Sequence, residues 1–151
     1  MSSRPSRKRE TPIAIRVLRK GDEDVLSRVA PHVFDNPIDG ALTSEFLTDA
    51  RHHLVVAIEN DFVVGFASAV HYVHPDKRAE LWINEVGVAP TLRRQGVAHS
   101  LLRALFDIGR SLGCGQAWVL SDLNNSPAVG LYQSLGGRAA PCDTVMYEFP
   151  L

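Results

Sequence analysis

Long hydrophobic runs are missing from this 151-residue chain. Although 45% of its residues are hydrophobic, it has no run of about 18 apolar residues, so no transmembrane helix is expected. Cysteine is scarce too. Cys114 and Cys142 form no Cys-x-x-Cys pair, so neither a zinc site nor dithiol redox chemistry is indicated, and both are expected as free thiols. The chain also lacks a large net charge, −1 overall, but its basic residues are unevenly spread. Arg4, Arg7, Lys8 and Arg9 stand in the first ten residues against Glu10 alone; removing them from 16 basic and 17 acidic residues leaves 12 against 16, or −4. A body of that charge argues against nucleic acid as a partner and suits a cationic ligand. The first ten residues have no apolar core of a secretory signal and are expected as a disordered tail. Internal repeats and low-complexity segments are absent. His71 and His74 have a His-x-x-His look, but they end a strand beside Pro75, and no metal site is expected.

What is present is the pattern of one α/β domain. Alternating apolar runs predict strands at 13–18, 53–59, 62–71, 80–88, 116–120 and 144–149, with a hairpin turn at Asn60-Asp61. Helical spacing predicts helices at 22–29, 43–50 with Thr43 as cap, 95–112 and 127–135. This order reads as a mixed sheet with helices on both faces.

The most informative segment is Val86 to His99. A strand runs into a basic loop of the form Arg-x-x-Gly-x-Ala (Arg93, Gly96, Ala98), and a long helix follows. The first N–H groups of a helix have no intrahelical partners, and the dipole there favours negative charge. Gly96 permits a backbone conformation closed to other residues, and Arg93 and Arg94 add positive charge. A diphosphate-bearing nucleotide is the ligand class this predicts. The spacing fits neither a P-loop nor the Gly-x-Gly-x-x-Gly fingerprint. A second segment, Asn125 to Gly137, has the form Asn-x-x-Ala-x-x-Leu-Tyr-x-x-Leu-Gly, with Asn125 or Ser126 as N-cap and Gly136 as the helix stop.

Together the two segments, in this order and about thirty residues apart, resemble the GNAT superfamily of N-acetyltransferases over residues 13 to 149. The resemblance implies a GNAT fold: a mostly antiparallel α/β sheet with helices on both faces and a splayed parallel strand pair, here 83–88 and 117–121. It implies a basic tail at 1–11 and a single acetyltransferase domain at 12–151, in the cytoplasm and away from membranes. It leaves a homodimer open. The implied cofactor is acetyl-coenzyme A, held by Val86, Val88, Arg93, Arg94, Gln95, Gly96, Val97, Ala98 and His99, with Asn125 on the pantetheine arm.

Acetyl transfer to an amine needs a neutral amine, a polarised carbonyl and a stabilised leaving thiolate. Glu85 is the base candidate, because a carboxylate within an apolar strand is costly unless it is paired or faces a cavity; a purely structural hydrogen-bond network is the alternative. Backbone N–H near Gly87 or Val88 is the expected polariser, with Gly87 leaving room for the thioester. The resemblance makes Tyr132 the acid candidate, against a packed helix tyrosine. Glu80 to Gly96, with Leu131-Tyr132 and Val145-Met146, is similar to small type I aminoglycoside 3-N-acetyltransferases, which carry aspartate at the Glu85 position. That similarity implies a cationic aminoglycoside acceptor, modified at the 3-amino group, with Asp35, Asp39, Glu80, Asn84, Asp122 and Asp143 as acceptor contacts. Two alternatives stand beside it: acetylation of another small amine or of a peptide amine, and a coenzyme A-binding sensor without turnover.

Overall fold

The computed structural model describes residues 11–140 and 144–151, in two compact units, one through Leu120 and one from Ser121 to Leu151. The first unit holds a five-stranded sheet in the order β1 (Ala14–Leu18), β2 (His52–Glu59), β3 (Phe62–Tyr72), β4 (Glu80–Val88) and β5 (Ala117–Val119). All neighbours are antiparallel except β4 and β5, which run parallel. Asn60 and Asp61, both with positive φ, make the two-residue turn whose twist suits the β2–β3 hairpin.

The two faces of the sheet carry different helices. Helix α2 (Val97–Ser111) buries Val97, Leu101, Leu102, Leu105 and Gly109, a stripe at helical spacing. A Cβ at Gly65 would meet Leu101 and Val97, and one at Gly109 would meet Leu81, so this face of β3 and β4 lies against α2. On the opposite face Phe46 of α1 (Gly40–Thr48) stacks on His52, with ring centroids 4.9 Å apart. The core between is apolar, and no buried residue among those described is polar or charged.

Three expectations need correction. Helix α1 starts earlier than the Thr43 cap implied: Asp39 is the N-cap, accepting the Leu42 N–H at 2.9 Å, while the Thr43 hydroxyl bonds the Asp39 carbonyl. The 22–29 segment forms only a single-turn 3₁₀ helix, Glu23–Ser27, because residues 28–30 leave it to bond β3: Val63 N–H donates to the Arg28 carbonyl and Ala30 N–H to the Val63 carbonyl. The strand expected at 144–149 is not formed; Val145, Met146, Tyr147 and Phe149 are exposed, with no ladder partner to turn their apolar alternation into a strand. In the second unit, α3 (Ser126–Ser134) is capped by Asn125, whose side chain accepts the Ala128 N–H at 3.2 Å. No helix among the described residues is long and apolar enough to cross a membrane.

Candidate active site

Strand β4 presents Glu85 to one sheet face because one residue is out of step. Ser68 pairs with Glu85, and the next residue, Ala69, pairs with Ile83, leaving Asn84 as a bulge. Side chains alternate along a strand, so Glu80 and Trp82 point away from α2 while Leu81 and Ile83 point toward it. The extra residue shifts that alternation by one, and Glu85 joins Trp82 on the face opposite α2. Without the bulge Glu85 would point into the apolar layer under α2. Asn84, expected as an acceptor contact, takes the irregular position that makes the shift.

The loop after residues 28–30 brings a second carboxylate to the same place. Its path is fixed at three points. Residues 28–30 are tied to β3, the Val33 carbonyl sits against Gly87, and Phe34 stacks on Phe66 with centroids 3.9 Å apart. A Cβ on Gly87 would lie 2.4 Å from the Val33 oxygen and 2.7 Å from the Phe66 ring. Gly87 therefore makes room for this loop, and the space expected there for a thioester is filled by protein. Asp35 follows directly, and its carboxyl group lies beside that of Glu85. Partial burial raises the pKa of Glu85 above its ordinary value, and the neighbouring charge of Asp35 raises it further.

Both carboxylates line a cavity of about 320 Å³. Its floor is Leu54, Phe66, Ser68 and Glu85 of the sheet; its walls are the 34–39 loop and Leu42, Thr43, Phe46 and Leu47 of α1. Asp35 and Asp39, which the sequence could not show to converge, line this cavity together with Glu85. Glu80 lies on the same sheet face but outside the cavity. Asp122 is in the second unit, where its carboxylate accepts the Asn124 N–H at 2.8 Å, and Asp143 lies outside the described residues. The aromatic lining by Phe34, Phe46 and Phe66 escaped sequence reading; the Phe66/Ser68 alternation beside a turn was its only signal.

Beyond Ile83, no strand among the described residues pairs with the β5-side edge of β4. β5 pairs only Leu81–Ile83 with Ala117–Val119, so residues 84–88 have no β5 partner. Ala89 N–H donates to the Val64 carbonyl. By the alternation of an antiparallel ladder, Gly87 then bonds β3, whereas Val86 and Val88 turn their backbone groups to the open edge. Consistent with this, the Val88 carbonyl faces away from β3 and accepts Arg93 Nε at 3.4 Å. Between β4 and α2, Arg94 and Gly96 both adopt positive φ (60° and 81°), curling the backbone before a helix with no side-chain N-cap. A Cβ at Gly96 would meet nothing within 4 Å, so the positive φ, not lack of space, is what calls for glycine there. In the second unit Tyr132 is half-buried, which raises its hydroxyl pKa, and the hydroxyl has no hydrogen-bond partner among the described residues.

An open strand edge running into a basic, uncapped helix start is the part of this geometry that a sequence comparison can test. Residues 23–137 match the profile of the acetyltransferase (GNAT) family. The chain belongs to that family. Among curated GNAT relatives it is 32% identical over 100 residues to a streptothricin acetyltransferase of Streptomyces lavendulae, covering 66% of this chain and 51% of that protein. It is also 32% identical over 149 residues to a mycothiol acetyltransferase of Thermomonospora curvata, covering 91% and 48%. The chain thus spans about half the length of these relatives. Among solved structures, an aminoglycoside acetyltransferase from an uncultured soil metagenomic sample, in complex with sisomicin, superposes with a TM-score of 0.79 over 92% of this chain and 96% of that one, at 18% identity. The aminoglycoside N-acetyltransferase AAC(6')-Iy in complex with coenzyme A gives 0.74 over 95% and 98%, at 22% identity. These two similarities show the GNAT fold. The acetyl donor of the GNAT family is acetyl-coenzyme A, and the residues here fit it: uncapped α2 N–H donors behind Gly96 for a pyrophosphate, and the edge-facing backbone of Val86 and the Val88 N–H for an amide-bearing arm.

Proposed function

We propose that this chain transfers an acetyl group from acetyl-coenzyme A to an amino group of an aminoglycoside, the 3-amino group of its central deoxystreptamine ring. The observation that carries this reading is the Asp35–Glu85 pair facing an open cavity on the sheet face beside the open β4 edge. Bound acetyl-coenzyme A supplies the acetyl group as a thioester and leaves as the free thiol. The α2 N–H groups from Val97 to His99, with Arg93, Arg94 and the Gln95–Gly96 turn, hold its pyrophosphate; Asn125 contacts its arm.

Asp35, Asp39 and Glu85 attract the acceptor as an ammonium ion. Glu85 accepts the amine proton, directly or through a water, so that the nitrogen lone pair can attack. Its raised pKa brings it nearer to neutral pH, where a base is most effective. The Val88 N–H, on the open edge, polarises the carbonyl as the C–N bond forms and the C–S bond breaks. Tyr132, kept protonated by burial, gives its proton to the departing sulfur; Glu85 then releases the amine proton to solvent, and solvent reprotonates Tyr132.

One observation favours a second acceptor class. Ile38, Leu42, Phe34 and Phe46 make much of the cavity wall apolar, which suits an amine with an apolar body, such as a peptide end. The test is a side-by-side assay of thiol release with kanamycin-type and gentamicin-type compounds, polyamines and short peptides, with the modified position read by NMR. Modification at the deoxystreptamine 3-amino group is expected. Thiol release with peptides or simple amines alone overturns the aminoglycoside assignment, and tight acetyl-coenzyme A binding without any turnover overturns catalysis.

A further inference from the structure

The sheet face that holds Glu85 continues past the cavity into a group of aromatic and acidic side chains that the transfer reaction leaves unused. Trp82 of β4 and Trp118 of β5 are direct register partners, and their rings stack at 5.1 Å with 9° between planes. Trp82 keeps 37% of its surface exposed, a high value for a tryptophan in an inner strand. Val70, opposite Trp82 on β3, is too short to cover it. Beside the pair, Glu80 is held from several sides. Tyr72 donates its hydroxyl to one carboxylate oxygen, and Gln116 Nε2 donates to the other at 3.0 Å. The Trp118 indole lies close enough to act on both Tyr72 and Glu80 electrostatically. These bonds fix the carboxylate next to an aromatic wall and keep it ionised, and the charge of Lys77, in the exposed turn before β4, acts in the same direction.

The distance to the cavity suits one ligand spanning both. Ser68, Val70 and Tyr72 are successive same-face positions on β3, and they pair with Glu85, Trp82 and Glu80. Two residues of strand advance about 7 Å, so the Trp wall begins about 7 Å from Glu85, roughly one sugar ring further along the sheet. Indole faces attract cations and stack on ring surfaces, most strongly where a carboxylate neutralises the charge alongside.

We propose that Trp82, Trp118 and Glu80 form a second acceptor subsite, which holds a cationic aminosugar ring of the acceptor distal to the ring that Glu85 acts on. This rests on the reading of the acceptor as a multi-ring cation. The wall selects acceptors by the ring they carry beyond the reacting one, and it acts through binding, with no part in proton transfer.

The chain's only two tryptophans are Trp82 and Trp118, so fluorescence excited selectively at tryptophan reports on this pair alone. Kanamycin does not absorb in the tryptophan range and is the probe. Titrated into the Glu85→Gln protein with coenzyme A present, it should change the fluorescence saturably, whereas single-ring 2-deoxystreptamine should change it little. In steady-state assays of the otherwise native enzyme, Trp82→Ala should raise the KM for kanamycin about fivefold to thirtyfold, the usual range for losing such a contact. It should thereby remove most of the KM preference for kanamycin over 2-deoxystreptamine. Trp82→Phe should restore part of that preference; Glu80→Gln should lose it without changing the fold, checked by circular dichroism.

A preference unchanged by Trp82→Phe and Glu80→Gln, or fluorescence unmoved by kanamycin, overturns the subsite. Fluorescence that depends on protein concentration instead assigns the wall to a second copy and overturns it as well. The two readings fail separately: saturable fluorescence without thiol release retains the subsite and removes the aminoglycoside reaction, and kanamycin turnover with silent tryptophans does the reverse.

Discussion

Glu85 and Gly87, two residues apart on one strand face, divide the work of the site. Glu85 meets the cavity because the Asn84 bulge turns it there, and Gly87 lets the 33–35 loop come close enough to bring Asp35 alongside. In the Glu85→Gln protein the side chain keeps its shape and loses the ability to accept a proton. A positioned base contributes about 10²–10⁴-fold, so kcat should fall by that order in a thiol-release assay. Pure charge anchoring would raise KM and spare kcat. Gly87→Ala acts on packing: its methyl group would meet the Val33 carbonyl and Phe66, and the loop must move. Overpacking of this kind costs about 1–3 kcal/mol, or roughly 3–10 °C in the melting temperature of a domain this size, and activity should fall with it because Asp35 is displaced. An unchanged melting temperature would show that the loop packs less tightly than described.

At the scale of elements, the loop into α2 has the most direct test. Gly96 holds φ at 81°, which other residues adopt only with strain, and it stands before an uncapped helix start. Gly96→Asp adds backbone strain and puts a carboxylate where a pyrophosphate is expected, so calorimetry should find much weaker acetyl-coenzyme A binding with the fold retained. Binding at the native affinity would remove the loop from the cofactor site. This unit was legible in sequence, since strand, basic loop and helix are contiguous and each has a periodicity of its own. So were β1 to β4, within a residue or two at each end. The rest depended on contacts between distant segments. No local signal marks the bulge at Asn84, because it is defined by the register against β3. Asp35 and Glu85 are fifty residues apart, Trp82 and Trp118 thirty-six, and only the folded sheet pairs them. The Asp39 cap was hidden by Thr43, an equally good capping type one turn later, and Val145 to Phe149 alternate like a strand but pair with no strand among the described residues.

For the molecule as a whole, charge is the relevant quantity. A body of charge −4 outside the basic tail, with Asp35, Asp39, Glu80 and Glu85 on one sheet face, should draw in polycations over some distance. Exposed charges are screened over about 8–10 Å near physiological ionic strength. The KM for an aminoglycoside should therefore rise between 50 and 500 mM salt, on the order of severalfold, with kcat little changed. A KM insensitive to salt would favour an acceptor held by the apolar wall.

The pH dependence of kcat/KM tests most directly whether Glu85, tuned by Asp35, is the base. The base works only when ionised, so activity should rise with pH through the pKa of Glu85 in the free enzyme. Burial and Asp35 hold that pKa above the ordinary glutamate value of about 4.3. Asp35→Asn removes a neighbouring negative charge, lets Glu85 ionise at lower pH, and should move this acid limb down the pH scale; deprotonation of the free amine gives a separate rise that it leaves in place. Glu85→Gln should abolish the acid limb. An acid limb that stays in place in Asp35→Asn, or survives in Glu85→Gln, would contradict the account.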